Sequence, residues 1–493
     1  TDGSDLNLAR CWSEDSGGGV FSSGDVVVRG GALQGTNVSS QGSGGLFSAS
    51  QIILDGTAVV LAGVSSQGGS GGAIFAVNIT LEQNSTMSTV DTFARDHGGA
   101  LFASSSLTFA SSAVDLSRST AWGDGGAVAA GHIASSQSTL TCEDVRATQG
   151  SGGAINASSV QLREGSSAAI RNSSAGIHGG AIRAGELVLA ASNCSGLDVV
   201  AQAGAGGFVH AAGVSLSESA VLSVEKAKAS TSGGGVFTGQ LGVNASALSV
   251  VGAAAAAGGS VYANSVSVVD GTVAAQNGAA LESGGCFMLT QLQASSSSVA
   301  FLNCSAGANG GCLGLFSSGT LAFSSNSTAS FENCQAQGSG GAVHFELSGS
   351  ASGRRMDDAT PPFTVAQSSF SCTGSQAVQG RGGAVLAPSV EFRGAALNIA
   401  GGSAAGDGGC LWTMDALVEE SSTVTSTGCT AQGDGGAWMV SGTLTVVSGT
   451  VRVEDAIADS GGGLRVTGSA VVSGELNANN CTARANGGGF SMS

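Results

Sequence analysis

Acidic residues that return at one point of a repeat are the best candidates for chemistry in this chain. Asp407 and Asp434 each sit in a Gly-Asp-Gly-Gly tetrapeptide, 27 residues apart, and Asp124 occupies the same tetrapeptide far upstream. Two carboxylates at one level of successive chain turns repel, which raises one pKa or invites a cation such as calcium. Acids beside a base are also the equipment of polysaccharide lyases and glycoside hydrolases. A lyase needs several acids around calcium and a basic residue to take a proton, whereas a glycosidase needs an acid and a base at a set separation. The densest charged group is Arg354-Arg355-Met356-Asp357-Asp358. His97 and His178 share the repeat position of those aspartates, among only 5 histidines, with no acid or nucleophile spaced to make a dyad. Short polar residues beside glycine are equally what a tight turn selects. On that reading no catalytic residue, resident metal or cofactor is expected, and calcium is the one ion the acids would admit.

The elements that must position these residues follow from the glycines. Gly18, Gly45, Gly72, Gly99, Gly126, Gly153, Gly180, Gly207 and Gly234 are spaced by 27 residues. The series continues at Gly259, Gly285, Gly311, Gly341, Gly383, Gly409, Gly436, Gly462 and Gly488, in steps of 25 to 27 apart from two of 30 and 42. So regular a period marks a solenoid, in which each unit returns the backbone to equivalent geometry. Taking each glycine as zero, position +2 is always large and apolar, from Val20 through Val128, Ile155 and Ile182 to Phe490, while +1 is mostly Ala, Gly, Ser or Cys. A second alternating stretch follows, as in Val160-Gln161-Leu162 and Leu444-Thr445-Val446, and a third carries Phe301 and Ala306 or Phe331 and Ala336. Period-two alternation in Val, Ile, Thr and Ser predicts three short strands and three turns per unit and no helix.

The expected fold is all-β: a single-stranded right-handed parallel β-helix of about 18 coils of 26–27 residues, running as one domain over 1–493. The glycine pairs belong at a corner that needs positive φ and close backbone approach. The long step between Gly341 and Gly383 predicts a projecting insertion at 348–363, which makes Arg354, Arg355, Asp357 and Asp358 a candidate recognition loop. Leucine-rich and calcium-binding nonapeptide repeats are excluded, because their signatures are missing.

Gly72-Ala73-Ile74, Gly153-Ala154-Ile155 and Gly180-Ala181-Ile182, each preceded by a further Gly, spell the GGAI motif. In this the chain resembles the chlamydial polymorphic outer-membrane proteins. Their FxxN motif is matched in part by Phe301-Leu302-Asn303-Cys304 and Phe331-Glu332-Asn333-Cys334, with Cys where that family has Asn. The resemblance implies a pectin-lyase-like right-handed β-helix at a cell surface, in adhesin-type passenger proteins.

Composition narrows the partners. Gly 82 with Pro only 3 removes collagen, and 42% hydrophobic against 10% charged residues removes disorder. A net charge of −17 offers no basic stripe for nucleic acid or anionic membrane, and no apolar run is long enough for a spanning helix. Asn37, Asn78, Asn84, Asn156, Asn172, Asn193, Asn244, Asn303, Asn326 and Asn480 head Asn-x-Ser/Thr sequons, candidate N-glycosylation sites of a secreted protein. The 11 cysteines contain no Cys-x-x-Cys, so zinc and iron–sulfur sites are not expected. Cys286 and Cys312 share position +1, and Cys304 and Cys334 share −7, so each pair is expected to stack on adjacent coils. Stacked Cβ vectors run parallel where a bridge wants convergence, which leaves disulfides and free buried thiols equally open.

Together these features predict an extracellular or cell-surface rod, acting without catalysis as a rigid scaffold or as a binding surface for protein or carbohydrate. Its ends carry no covering helix, so a longer native chain or end-to-end self-association into a filament is expected. The alternative is a polysaccharide lyase or glycoside hydrolase, which predicts three or more carboxylates and an Arg or Lys converging on one flank. An ice-binding rod is disfavoured because Thr is not periodic.

Overall fold

The computed structural model describes residues 3, 5–347 and 362–493. Among these there is no helix; parallel strands stack into a β-solenoid of about 18 turns. The chain forms two compact units, Thr1–Ser249 and Val250–Ser493. Both are built from the same kind of turn.

One turn of the first unit shows how sequence becomes coil. Beyond Gly153 runs a nine-residue strand, Ile155–Arg163, followed by the shorter strands Ser167–Arg171 and Ser174–Ala175. Ile155, Ala157, Val160 and Leu162 point inward and are buried, and two outward residues in succession, Ser158 and Ser159, mark a kink that turns both halves of the strand toward the interior. The two apolar stretches separated in the sequence reading are therefore one strand here. The third stretch is two strands, as at Ser298–Leu302 and Ser305–Ala306.

Stacking keeps the +2 residues in file. In the first unit Ile74, Leu101, Val128, Ile155, Ile182, Val209 and Val236 pair in parallel register, each at most 1% exposed. In the second the file runs from Val261 through Phe287, Leu313, Val343, Val385, Leu411 and Trp438 to Leu464. Each such side chain contributes about 1.5–3 kcal/mol through burial. Buried rings add to the second interior: Phe301 lies 4.9 Å from Phe287 and 5.0 Å from Phe331 between centroids.

Three corners close each turn, and all use left-handed backbone. At the glycine corner Gly98 has φ +65°, and a Cβ on Gly99 would collide with the Gly126 carbonyl oxygen of the next turn. The first glycine supplies the conformation and the second the clearance. Between the five-residue and two-residue strands a single residue turns left-handed: most often Asn or Asp, as at Asn37, Asp91, Asp144, Asn172 and Asp198 in the first unit and Asn277, Asn303, Asn333, Asp455 and Asn480 in the second, and otherwise Gly, Arg or Lys, as at Gly63, Arg118, Lys226 and Gly401. Asn and Asp bear this conformation at least cost, because a short polar side chain bonds locally. Asn333 Nδ2 donates to Asn303 Oδ1 at 3.2 Å, tying successive corners together. At the remaining corner buried serines accept the backbone N–H that no strand partner reaches, as when Ser112 N donates to Ser138 Oγ at 2.9 Å and Ser327 N to Ser368 Oγ at 3.1 Å.

The cysteines at +1 and −7 are bridged across the turn and not along the stack. Cys286 is joined to Cys304, Cys312 to Cys334 and Cys410 to Cys429, with Cα separations of 5.5, 5.3 and 5.5 Å. The two slots converge in the interior: where −7 is glycine, at Gly278 and Gly402, an added Cβ would strike the Sγ of Cys286 or Cys410. Parallel Cβ vectors do oppose bonding within a column, and the facing column provides the partner.

Two glycine substitutions test the need for clearance. Gly99→Ala is expected to destabilise by about 3 kcal/mol or more, because the obstacle is backbone that cannot move aside. Gly213 has open space around its Cα, so Gly213→Ala should stay within about 0.5 kcal/mol of the parent. Urea unfolding followed by circular dichroism measures both.

Candidate functional site

Between the +2 and +4 residues of the long strands stands one residue on the outer side of the sheet, half-buried in much of the first unit and buried at Ala129, Leu386, Trp412 and Met439. In the first unit this +3 column reads Phe75, Phe102, Ala129, Asn156, Arg183, His210 and Phe237 in successive registers. Phe75 and Phe102 stack nearly parallel, 5.2 Å apart at 4°. His210 stacks on Phe237 at 4.9 Å and 5°, and on His178 at 4.5 Å. In the second unit Leu386, Trp412 and Met439 cluster with Met414, and the Arg381 guanidinium lies 5.5 Å over the Trp412 ring. Sequence reading stopped one residue short of this column. Its signal is the Phe, His, Tyr, Met and Trp content one step beyond the obligatory plug, far from the bland Ser, Thr, Gly and Ala expected of exposed positions.

Beside it runs the corner column two residues before each reference glycine, which holds the acids and histidines singled out from sequence. Where this column holds His, Asp, Asn or Ser, the side chain can accept the backbone N–H of the next turn. Asp124 N donates to His97 Nδ1 at 2.9 Å, Ser151 N to Asp124 Oδ1 at 2.7 Å, and Ala205 N to His178 Nδ1 at 3.1 Å. In the second unit Ser339 N donates to Asn309 Oδ1 at 2.8 Å and Asp434 N to Asp407 Oδ1 at 3.0 Å. The repulsive pair of acids anticipated at Asp407 and Asp434 is replaced by ion pairs: Arg381 lies 3.4 Å from Asp407, and Arg465 lies 2.8 Å from Asp434. Each acid thus has a guanidinium of its own, and Asp407 also holds the backbone of the next turn. Among the described residues no three His, Cys, Asp or Glu converge as a metal site would require.

The two columns bound a shallow groove that deepens in each unit. In the first unit a notch of about 240 Å³ is lined by His97, Phe102, Ser104, Asp124, Ala129, Gly131 and Asn156. In the second a cleft of about 510 Å³ lies among Asn309, Ser339, His344, Glu346, Arg381 and Leu386. Burial pushes the His344 imidazole down to about 4, so it lines the cleft uncharged at neutral pH. His210 is also held at about 4, by burial first and then by His178 and Arg183.

The other sequence candidates scatter. Arg354, Arg355, Asp357 and Asp358, with 348–361 of the anticipated insertion, lie outside the described residues, and Phe363 already opens the strand Phe363–Ala366. Of the sequon asparagines, Asn37, Asn84, Asn172, Asn193, Asn244, Asn303, Asn326 and Asn480 are exposed, and Asn78 and Asn156 are half-buried. Six of the exposed ones, Asn37, Asn84, Asn172, Asn303, Asn326 and Asn480, are left-handed corner residues, which gives them a backbone role independent of any glycan. Cys142, Cys194 and Cys372 are free and buried, while Cys11 and Cys481 are free and partly exposed. Burial raises the buried thiols, Cys194 and Cys372 to about 12. No protein-family model, curated protein or solved structure matches the chain.

Two measurements check these environments. Maleimide should label Cys11 and Cys481 in the folded protein and all five free thiols only after denaturation, since thiolate and access are both required. His210 has a folded pKa below its unfolded value of about 6.5. Its contribution to stability is therefore complete above that value and is lost as pH falls toward about 4. His210→Gln should flatten the fall in melting temperature between pH 7 and pH 4, and imidazole NMR should place the His210 titration near 4.

Proposed function

We propose that this protein is an extracellular or cell-surface rod whose groove-bearing flank binds protein or carbohydrate, with the solenoid interior as its rigid support. The observation that carries the proposal is the outward +3 column. Phe75, Phe102, His210 and Phe237 stand half-buried on the flank of the first unit at the fixed spacing of the turns, outside the aliphatic interior. Aromatic rings beside polar groups that are already positioned are the common material of recognition surfaces. Three disulfides fit an oxidising compartment, and the exposed sequons are compatible with secretion. The GGAI motifs point the same way, toward adhesin-type passengers and a pectin-lyase-like, right-handed β-helix.

The test is binding of the fluorescently labelled full chain to intact cells and to an array of cell-wall polysaccharides. Phe75→Ser together with Phe102→Ser and Phe237→Ser should weaken binding at least tenfold. Val60→Ser, on an exposed strand position away from that flank, should leave it unchanged. Equal binding by the flank variants overturns the proposal. Cleavage of an acidic polysaccharide in the presence of calcium replaces it with a lyase or hydrolase.

A further inference from the structure

The aromatic file of the first unit is interrupted where the groove deepens. Phe75 covers one face of Phe102, and at the next level the column holds only the methyl of Ala129, with the His97 ring 6.5 Å from Phe102 between centroids at 28°. Asn156 stands one level beyond. Successive levels are about 4.8 Å apart, close to the 5.2 Å separating the two stacked rings. A ring entering the notch above Ala129 would therefore lie on Phe102 much as Phe102 lies on Phe75.

The far wall of the notch is built by an irregularity. Strand Leu101–Ala110 has ten residues where Ile74–Glu82 and Val128–Ser136 have nine, and the register shifts between Ala103 and Ser106 against both neighbours. Bulges of this kind re-aim side chains beside functional sites. Here the bulge brings Ser104 to the rim.

The rim has a defined polarity. His97 Nδ1 accepts the Asp124 N–H, so the neutral ring carries its proton on Nε2 and presents a donor there. Asn156 Oδ1 accepts from Arg183 Nη1 at 3.5 Å, which leaves the amide NH2 as a second donor. Asp124 Oδ1 is taken by Ser151 N–H, and Oδ2 lies 3.7 Å from His97 Nδ1, so the acid that sequence spacing did not offer His97 comes from the next turn, and Oδ2 keeps acceptor capacity toward the notch. A flat aromatic floor edged by two donors and an acceptor complements a pyranose, which has an apolar C–H face and hydroxyls around its edge. An aromatic side chain from a partner would leave those rim groups unpaired. Asp124 is the acid among the lining residues and no Lys or Arg lines the notch, so a uronic acid or a phosphorylated ligand would meet like charge at the rim, the neighbouring Arg183 being engaged by Asn156 Oδ1.

We infer that the Phe102–Ala129 notch is a binding subsite for one uncharged pyranose, stacked on Phe102 and hydrogen-bonded by His97, Asp124 and Asn156. This rests on reading the flank as a binding surface and names the ligand class for one place on it. The test is saturation-transfer NMR and calorimetry on the full chain with the methyl glycosides of glucose, galactose and mannose, with N-acetylglucosamine, and with glucuronate as the charged comparison. At least one uncharged sugar should bind, with Kd of about 1 mM or tighter, and at least tenfold better than glucuronate. Phe102→Ala should lose at least tenfold. Ala129→Phe should abolish binding by completing the stack, and because the column already accepts Phe75, Phe102 and Phe237, this variant should fold with an unchanged melting temperature. Absence of binding by all four uncharged sugars, preference for glucuronate, or full binding by Ala129→Phe overturns the subsite. If none of the sugars binds while the parent still binds cells, the subsite fails and the flank reading stands. If sugars bind and cells do not, the reverse holds.

Discussion

The contact that governs everything else is the approach of one glycine corner to the next. Gly99 sits so near the carbonyl of Gly126 that no side chain is admitted, and Gly98 makes the bend that brings it there. Once that approach is fixed, turn length and strand register are fixed with it. The aliphatic file through Val128, Ile155 and Ile182 then closes without gaps. Corner and file are mutually dependent: a slip of one residue would carry the whole apolar set to the outside.

A lattice held this firmly frees the outward positions from any duty to the fold. On the corner column Ser, Asn, Asp and His are interchangeable because each offers an acceptor to the next turn's N–H. On the +3 column even that demand is absent, so Ala129, Asn156, Arg183 and Phe237 stand at equivalent places. Chemistry can change from turn to turn there while the support stays constant. This is the physical basis for placing recognition on that flank.

Much of the coil was legible in the chain because burial and period coincide: an invariant apolar +2 next to glycine has one interpretation. The kink at Ser158 and Ser159 was not, since two small polar residues between apolar stretches look like a turn and in fact lie within one strand. Cysteine pairing escaped for a different reason. Cys286 and Cys312 are visibly equivalent along the chain, whereas the convergence of Cys286 with Cys304 depends on how the two walls of a coil meet. Asn37, Asn172 and Asn303 read as sequons, and their positive φ supplies a second cause for the same letter. Asp407 and Asp434 do lie on adjacent turns, but their roles depend on Arg381, at the same corner position one turn earlier, and on Arg465, in the +3 column of the turn that follows.

The bridges have a mechanical corollary. Cys286 and Cys304 lie 18 residues apart, near the start and the end of a single turn, and the other two bridges span 22 and 19. Each therefore ties a winding of the chain into a covalent ring. Pulled from its two ends, a solenoid gives up length by unspooling, and a ringed turn has none to give. At about 3.4 Å per extended residue, each bridge withholds roughly 60–75 Å of slack until a reductant cuts it. Under load the chain would thus pay out less length in an oxidising medium than in a reducing one.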